Sequence, residues 1–392
     1  MLFFRFASAR LILALALAMA TSSASAVKCG DTIKKKTVLK KDLTCDCPGS
    51  SSDLEYGFAA LTVEGPATLD LNGHTVSCSA GVGDDSFCIQ ISGTGAKIQN
   101  GTVSKCYVGV GGFSFQGALI KDIIAKDTAG GFGLFDDSKD NILLDVTSQD
   151  SDEVGIFVGG GDNNRVSGSY VANSLLYGIY INGTNNKVIS TTVEDVSFSC
   201  VYLEFGGARN VIQKNTVRRC GTIGILTYAT QSIVAGNKFF STGAASIYAG
   251  SNGNKITGNR ITGSGAEGIL LGGKMMVVAR NVIVNTTTDG ISLLSQNKRC
   301  RVQDNTVKKC GEVGIRIEGD FHNITGNKIT SCKAGIEASV GADKNRLIKN
   351  NVTQSTGKFD LIDLSGSTSS RCGTNVWMGN IGKGNFPCTT KK

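Results

Sequence analysis

The chain holds 3 prolines, 2 histidines and 1 tryptophan in 392 residues. So few prolines leave backbone N–H groups available almost everywhere, which suits extended ladders and argues against proline-punctuated loops. Two histidines, His74 and His322, far apart in sequence, leave little room for a Ser/His/Asp relay or a histidine-based metal centre. No paired C-x-x-C is present, and Cys45 and Cys47 are too close for a zinc site. Beyond the first 26 residues no apolar run is long enough to span a bilayer, and none sustains helical periodicity. A phosphate-cradling loop and nucleic-acid motifs are also missing.

What is present is repetition. Short β-branched phrases bounded by Asn, Gly, Asp or Ser recur, as in NKITGNRITGSGAEGILLGG from Asn254 to Gly273. A Gly-Ile or similar phrase places its apolar residue at Ile156, Ile179, Val201, Ile225, Ile247, Ile269, Ile291, Ile315 and Ile336. Those spacings run from 21 to 24 residues. A second phrase follows each one, and a third is headed by Asn215, Asn237, Asn259, Asn281, Asn305, Asn327 and Asn350. Three strands and three turns per repeat of about 22 residues describe one coil of an all-β, single-stranded parallel β-helix of roughly a dozen coils. Coils stack at about 4.8 Å, and none buries its apolar face alone. The Asn215 series fits stacked amides, each in a left-handed turn conformation that Asn tolerates. The 51 glycines serve the other turns.

Residues 1–26 read as a secretory signal: Arg5 and Arg10, the run LILALALAMA, then Ala24-Ser25-Ala26. Its removal lowers the net charge from +8 to +6, since both arginines leave. The 13 cysteines all lie beyond it and fit an oxidising compartment, so the expected location is extracellular, periplasmic or cell-wall associated. Cys310 and Cys332 are expected to stack and bridge, Cys372 and Cys388 to staple the C-terminal end, and Cys29 to pair with Cys45 or Cys47. An odd count leaves one thiol over. Asn100, Asn182, Asn285, Asn323 and Asn351 stand in glycosylation sequons. We expect an N-terminal cap over 27–54, the β-helix over 55–365 and a C-terminal cap over 366–392, in a monomer.

LDLNGHTVSC (Leu69–Cys78) resembles the opening coil of secreted right-handed β-helix proteins of the pectin-lyase-like superfamily. The Gly-Ile coils and GNKI phrases resemble parallel β-helix repeats of the NosD-type and mannuronan-epimerase-like branch. The resemblance implies a right-handed coil and a partner among polysaccharides, acidic ones foremost, with lyase or epimerase activity in many members. Three departures stand against a direct transfer of activity. No proline is followed by His, so the Asp-Pro-His-Asp stretch of the epimerases is missing. Of the polygalacturonase elements only GIRIEG around Arg316 is similar, with Glu318 where Lys would stand. Asp84-Asp85 lie in an early loop without a partner motif.

Alternation within the Gly-Ile strands assigns faces. Tyr180, Tyr202, Tyr228 and Tyr248, with Asn182 and Glu204, should face outward together as a sugar-binding platform with Glu204 a candidate general base. Stacking of good strand-forming residues explains the same pattern without a ligand. Arg316, Glu318 and Glu337 form a second cluster, in which Arg316 would neutralise a uronate while Glu337 moves a proton. An ordinary surface ion-pair group is the alternative. Glu267 and Asp289 offer a candidate calcium pair, the one cofactor the sequence suggests. His74 and His322 are expected to serve turns. Two functions follow: a secreted polysaccharide lyase or epimerase, or a non-catalytic glycan-binding or structural solenoid.

Overall fold

The computed structural model describes residues 26–47, 57–79, 86–366 and 372–390. The leader up to Ser25, part of the expected N-terminal cap and Asp84-Asp85 lie outside the described residues.

Each coil runs through three short strands. Ile225–Thr227, Ile233–Ala235 and Lys238–Thr242 are followed one coil later by Ile247–Ala249, Lys255–Thr257 and Arg260–Ser264. Equivalent strands pair in parallel and in register, Ile225 with Ile247, Ile233 with Lys255 and Lys238 with Arg260. The result is a right-handed parallel β-helix of about a dozen coils with a pectate-lyase-like fold. We call its three faces the Gly-Ile sheet, the second sheet and the third sheet, in chain order. The first coil begins inside the segment expected as a cap, since Thr32–Ile33 pairs with Ala59–Glu64. At the other end Val376–Met378 pairs with Arg346–Ile348. A 3-10 turn, Pro387–Thr390, closes the described chain.

Strand alternation sends one apolar column inward on every face. Ile179, Ile225, Ile247, Ile269 and Ile291 are all fully buried and stack into one ladder through Val201. Burying each such side chain stabilises by roughly 1.5–3 kcal/mol, which is what holds the coils together.

Between the second and third sheets the chain turns in two residues, and the Asn215 series lines the inside of that turn. The backbone N–H of Asn237 and its side-chain Nδ2 both donate to Asn259 Oδ1, and Asn259 does the same to Asn281. Each Nδ2 also donates to a backbone carbonyl one coil back, such as Asn259 to Val234 O at 2.9 Å. The left-handed conformation, however, belongs to the residue before each asparagine: Lys214, Gly236, Gly258, Arg280 and Gly326 have φ of 56–67°. The expectation of left-handed asparagines is corrected accordingly. The Asn side chain must point inward to reach the next coil, and the preceding residue takes the φ that reverses the chain.

A second amide ladder runs along the turn from the Gly-Ile sheet to the second sheet. Asn141, Asn164, Asn186 and Asn210 each pass a backbone N–H to the next coil. Farther on His322 takes an asparagine's place: its Nδ1 accepts from Cys300 N at 3.1 Å, and its own N–H donates to Asn345 Oδ1. His74 also serves a turn, with Nδ1 3.2 Å from Asp42 Oδ1. His322 is buried, and desolvation pushes its pKa from 6.5 down to about 4, outweighing the opposing charge of Asp320. The unfolded chain therefore binds a proton below pH about 6.5 that the folded one refuses until about 4. Stability present above the unfolded pKa should fall by roughly 3 kcal/mol as pH drops through that window. His322→Asn keeps an acceptor for Cys300 and does not titrate. Denaturant titrations at pH 7 and pH 4 should show the variant losing less stability by about that amount.

Disulfides join Cys29–Cys45, Cys47–Cys78, Cys88–Cys106, Cys200–Cys220, Cys310–Cys332 and Cys372–Cys388. Both ends are stapled, as expected, and three bridges, Cys88–Cys106, Cys200–Cys220 and Cys310–Cys332, lie within the body. Cys300 is the thiol left over, buried in the second amide ladder, and burial pushes its pKa up. Among the described residues no helix is long and apolar enough to cross a membrane.

Candidate functional site

The outward side of the Gly-Ile sheet carries an aromatic strip. Phe113, Phe135, Phe157, Tyr180, Tyr202, Tyr228 and Tyr248 come from seven successive coils, and each ring touches the next, with centroids 4.8–6.3 Å apart. At about 4.8 Å per coil the strip spans roughly 30 Å. All seven residues are half-buried, so each stays partly in contact with solvent.

Two features of the sequence keep the strip continuous. Tyr180 and Tyr202 are register partners, but the next position is Leu226, and the gap is bridged by Tyr228 from two residues farther on. Glycines supply the room that a ring lying across the sheet requires. A Cβ on Gly159 would sit 2.2 Å from Phe157 Cε1, and one on Gly250 would sit 2.6 Å from Tyr228 Cδ1.

Alternation correctly turned Tyr180, Tyr202, Tyr228 and Tyr248 to one side, with Glu204 and Asn182 half-buried among them. It missed Tyr177, which stacks on Tyr202 at 4.9 Å, together with Phe198 against Tyr177 and Phe205 against Tyr228. Tyr177 has the same parity as the inward Ile179; it reaches the strip because it stands at the bend entering the strand. Phe198 and Phe205 sit in turns, where strand parity has no meaning. They remain 42% and 63% exposed, unusual for phenylalanine, and make apolar walls along the strip.

The Tyr180 hydroxyl donates to Glu204. Burial pushes the pKa of that hydroxyl above its ordinary value, and the bond to Glu204 adds to the shift, so at neutral pH the phenol keeps its proton. The seven strand segments beneath the strip, at 108–113, 130–135, 154–159, 177–182, 199–203, 225–227 and 247–249, hold no basic residue.

Arg316 and Glu337 lie elsewhere. Counting strand pairings from Ser199–Leu203, which Glu204 follows, to the strand of Arg316 gives five coils, or roughly 24 Å. Arg316 donates to Asp289 at 2.7 Å, to Glu337 at 2.7 Å and to Glu312 at 3.0 Å. The bond to Asp289 leads in pushing the guanidinium pKa up, despite partial burial. Three carboxylates around one guanidinium leave no uncompensated positive charge for a uronate. Asp289 also accepts from Val313 N, so the carboxylates of the candidate calcium pair are unequal: Asp289 is buried and engaged, Glu267 half-exposed. Arg316, Glu312 and Glu337 line a cleft of about 330 Å³ with Lys333, Lys358 and Phe359 at the C-terminal end of the same sheet. Of the sequon asparagines, Asn285 and Asn323 are exposed, as is Asn100, while Asn182 and Asn351 are half-buried.

Among solved structures, the tailspike protein of E. coli bacteriophage HK620, a double mutant in complex with pentasaccharide, superposes with a TM-score of 0.55 at 12% identity, over 88% of this chain and 72% of that one. A PL6 family polysaccharide lyase from Pseudopedobacter saltans superposes with a TM-score of 0.51 at 14% identity, over 90% of this chain and 88% of the lyase. At such identities the likeness is one of fold. No curated protein sequence matches the chain. The family described as right handed beta helix region matches over residues 87–239 and 209–352, which together exceed half of the 392 residues. The chain belongs to the right-handed β-helix family.

Proposed function

We propose that the protein engages an extended glycan laid along the aromatic strip, parallel to the axis of the helix. The observation that carries this reading is the unbroken row of seven half-exposed rings, one per coil. Pyranose rings present C–H faces that pack on aromatic faces, and an extended polymer repeats that contact along its length. Tyr180, Tyr202, Tyr228 and Tyr248 are the substrate-binding platform, and Asn182 supplies a polar group beside it. A stack serving stability alone would have no use for exposed phenylalanine walls at Phe198 and Phe205. Solved relatives of the fold with a bound pentasaccharide or a lyase's name are consistent with a glycan partner.

Catalysis is the second reading, and one contact favours it. Glu204 and Tyr180 share a hydrogen bond in the middle of the strip, which places a base and a proton donor side by side where a sugar would lie. In this reading Glu204 takes a proton, and the Arg316–Glu337 cleft is the far end of the substrate groove.

The test is a screen of the purified protein against pectate, alginate, glycosaminoglycans and neutral glucans, following both retention and the ultraviolet absorbance of unsaturated products. Retention without turnover supports the platform alone. Turnover that Glu204→Gln abolishes supports the catalytic reading. Absence of both across the panel sinks the proposal.

A further inference from the structure

The surroundings of the aromatic strip carry a charge opposite to that of the chain as a whole. Lys and Arg outnumber Asp and Glu by 40 to 32 over the sequence. Across the strand segments of the Gly-Ile sheet, from 59–64 to 361–363, the only basic residue is Arg316. Its guanidinium is already held by Asp289, Glu312 and Glu337. Within four residues along the chain of the seven rings stand the carboxylates of Asp136, Asp137, Glu153 and Glu204, against one ammonium, Lys139. Asp136, Asp137 and Glu153 are exposed, and none of the three forms an ion pair among the described residues.

Turn formation alone does not call for these acids. Asp136, which directly follows Phe135 of the strip, has φ of 52°, and the adjacent coils fill its place with Ser114 at 50° and Gly160 at 69°. Glu153, at the entrance to its strand, accepts from the Tyr107 hydroxyl at 3.3 Å, which a neutral side-chain oxygen would do as well. What an acid adds at these places is charge. A uronate polymer laid on the strip would carry its own carboxylates past these four with a single cation, Lys139, to offset them. At 0.01 M salt the Debye length is about 30 Å, the length of the strip, so all four would act on the polymer together. Sugar hydroxyls have the opposite preference, because an ionised carboxylate accepts and adjacent hydroxyls donate to it in charge-assisted bonds.

We infer that the glycan of the strip is uncharged, and that Asp136, Asp137 and Glu153 select it against uronate polymers. The inference rests on the reading of the strip as a glycan platform and narrows it, setting a neutral polymer where the family resemblance implies an acidic one. Discrimination of this kind comes from an element that repels the wrong partner as much as from contacts with the right one.

Two pairs of polymers separate charge from backbone: hydroxyethylcellulose with carboxymethylcellulose, and methyl-esterified with de-esterified polygalacturonate. Binding through the strip is taken as the part that Tyr202→Ala with Tyr228→Ala removes, which sets aside adsorption elsewhere on a basic protein. In the pair that binds, the neutral member should bind at least about tenfold more tightly at about 0.01 M salt, and the gap should close towards about 1 M. Asp136→Asn, Asp137→Asn and Glu153→Gln together should raise the affinity for the charged member at least about fivefold at low salt and leave the neutral one within about twofold. Asn tolerates the left-handed turn and Gln keeps an acceptor for Tyr107, so the coils should hold. Equal or tighter binding of the charged member through the strip would overturn the inference and leave the platform standing. A triple variant with unchanged affinity for the charged member would remove the three carboxylates as selectors. No strip-dependent binding of any of the four polymers would count against the platform and the inference alike.

Discussion

Replacing Asn259 by alanine should lower stability by about 4 kcal/mol, among the largest effects of any single substitution outside the apolar core. Asn259 Oδ1 accepts from both Asn237 N and Asn237 Nδ2, and Asn259 Nδ2 donates to Val234 O and Asn281 Oδ1. The truncated side chain leaves Asn237 N–H and Val234 C=O buried without these partners, and each such group costs about 1–3 kcal/mol. Because coils touch only their neighbours, the damage should be local. Hydrogen exchange should quicken in the coils around 234–281, while the turns near Asn141 and Asn350 stay protected. Asn252, an exposed asparagine that accepts from Lys274 N at 2.8 Å, provides the comparison. Asn252→Ala should cost under about 1 kcal/mol, since water can replace that bond. Equal losses for the two variants, measured by urea unfolding, would show that the ladder contributes no more than an exposed turn.

The contrast between the two asparagine ladders explains how far the sequence could be read. The Asn215 series repeats the same residue type at nearly constant spacing, so periodicity alone exposed it. The second ladder keeps the geometry while changing the residue, from Asn210 to Ser232 and later to His322. A hydrogen-bond acceptor of suitable reach is all that position requires, so no fixed letter marks it. The inward isoleucines were legible because burial on a strand leaves few choices of residue. The aromatic strip was half legible: Tyr180 and Tyr202 follow from alternation, but Tyr177, Phe198 and Phe205 arrive from bends and turns.

The aromatic strip has its own decisive test. Tyr202→Ala combined with Tyr228→Ala should weaken glycan binding about a hundredfold if each ring contributes roughly 1–1.5 kcal/mol. Tyr202 and Tyr228 are adjacent, with centroids 6.3 Å apart, so their removal opens a gap in the middle of the row. Both rings are half-exposed, while the interior beneath them, Val201, Leu203, Ile225 and Ala229, is fully buried and untouched by the change. The coils should therefore hold, and the thermal midpoint should move by no more than about a few degrees. The rings also touch one another through Tyr177 and Phe205, so some loss of stacking is expected. It is the ratio that decides. A large fall in affinity, read by calorimetry, with little fall in stability identifies a binding surface. A large fall in stability with unchanged affinity would mean that the tyrosines stack to hold the coils together, and that the glycan lies elsewhere.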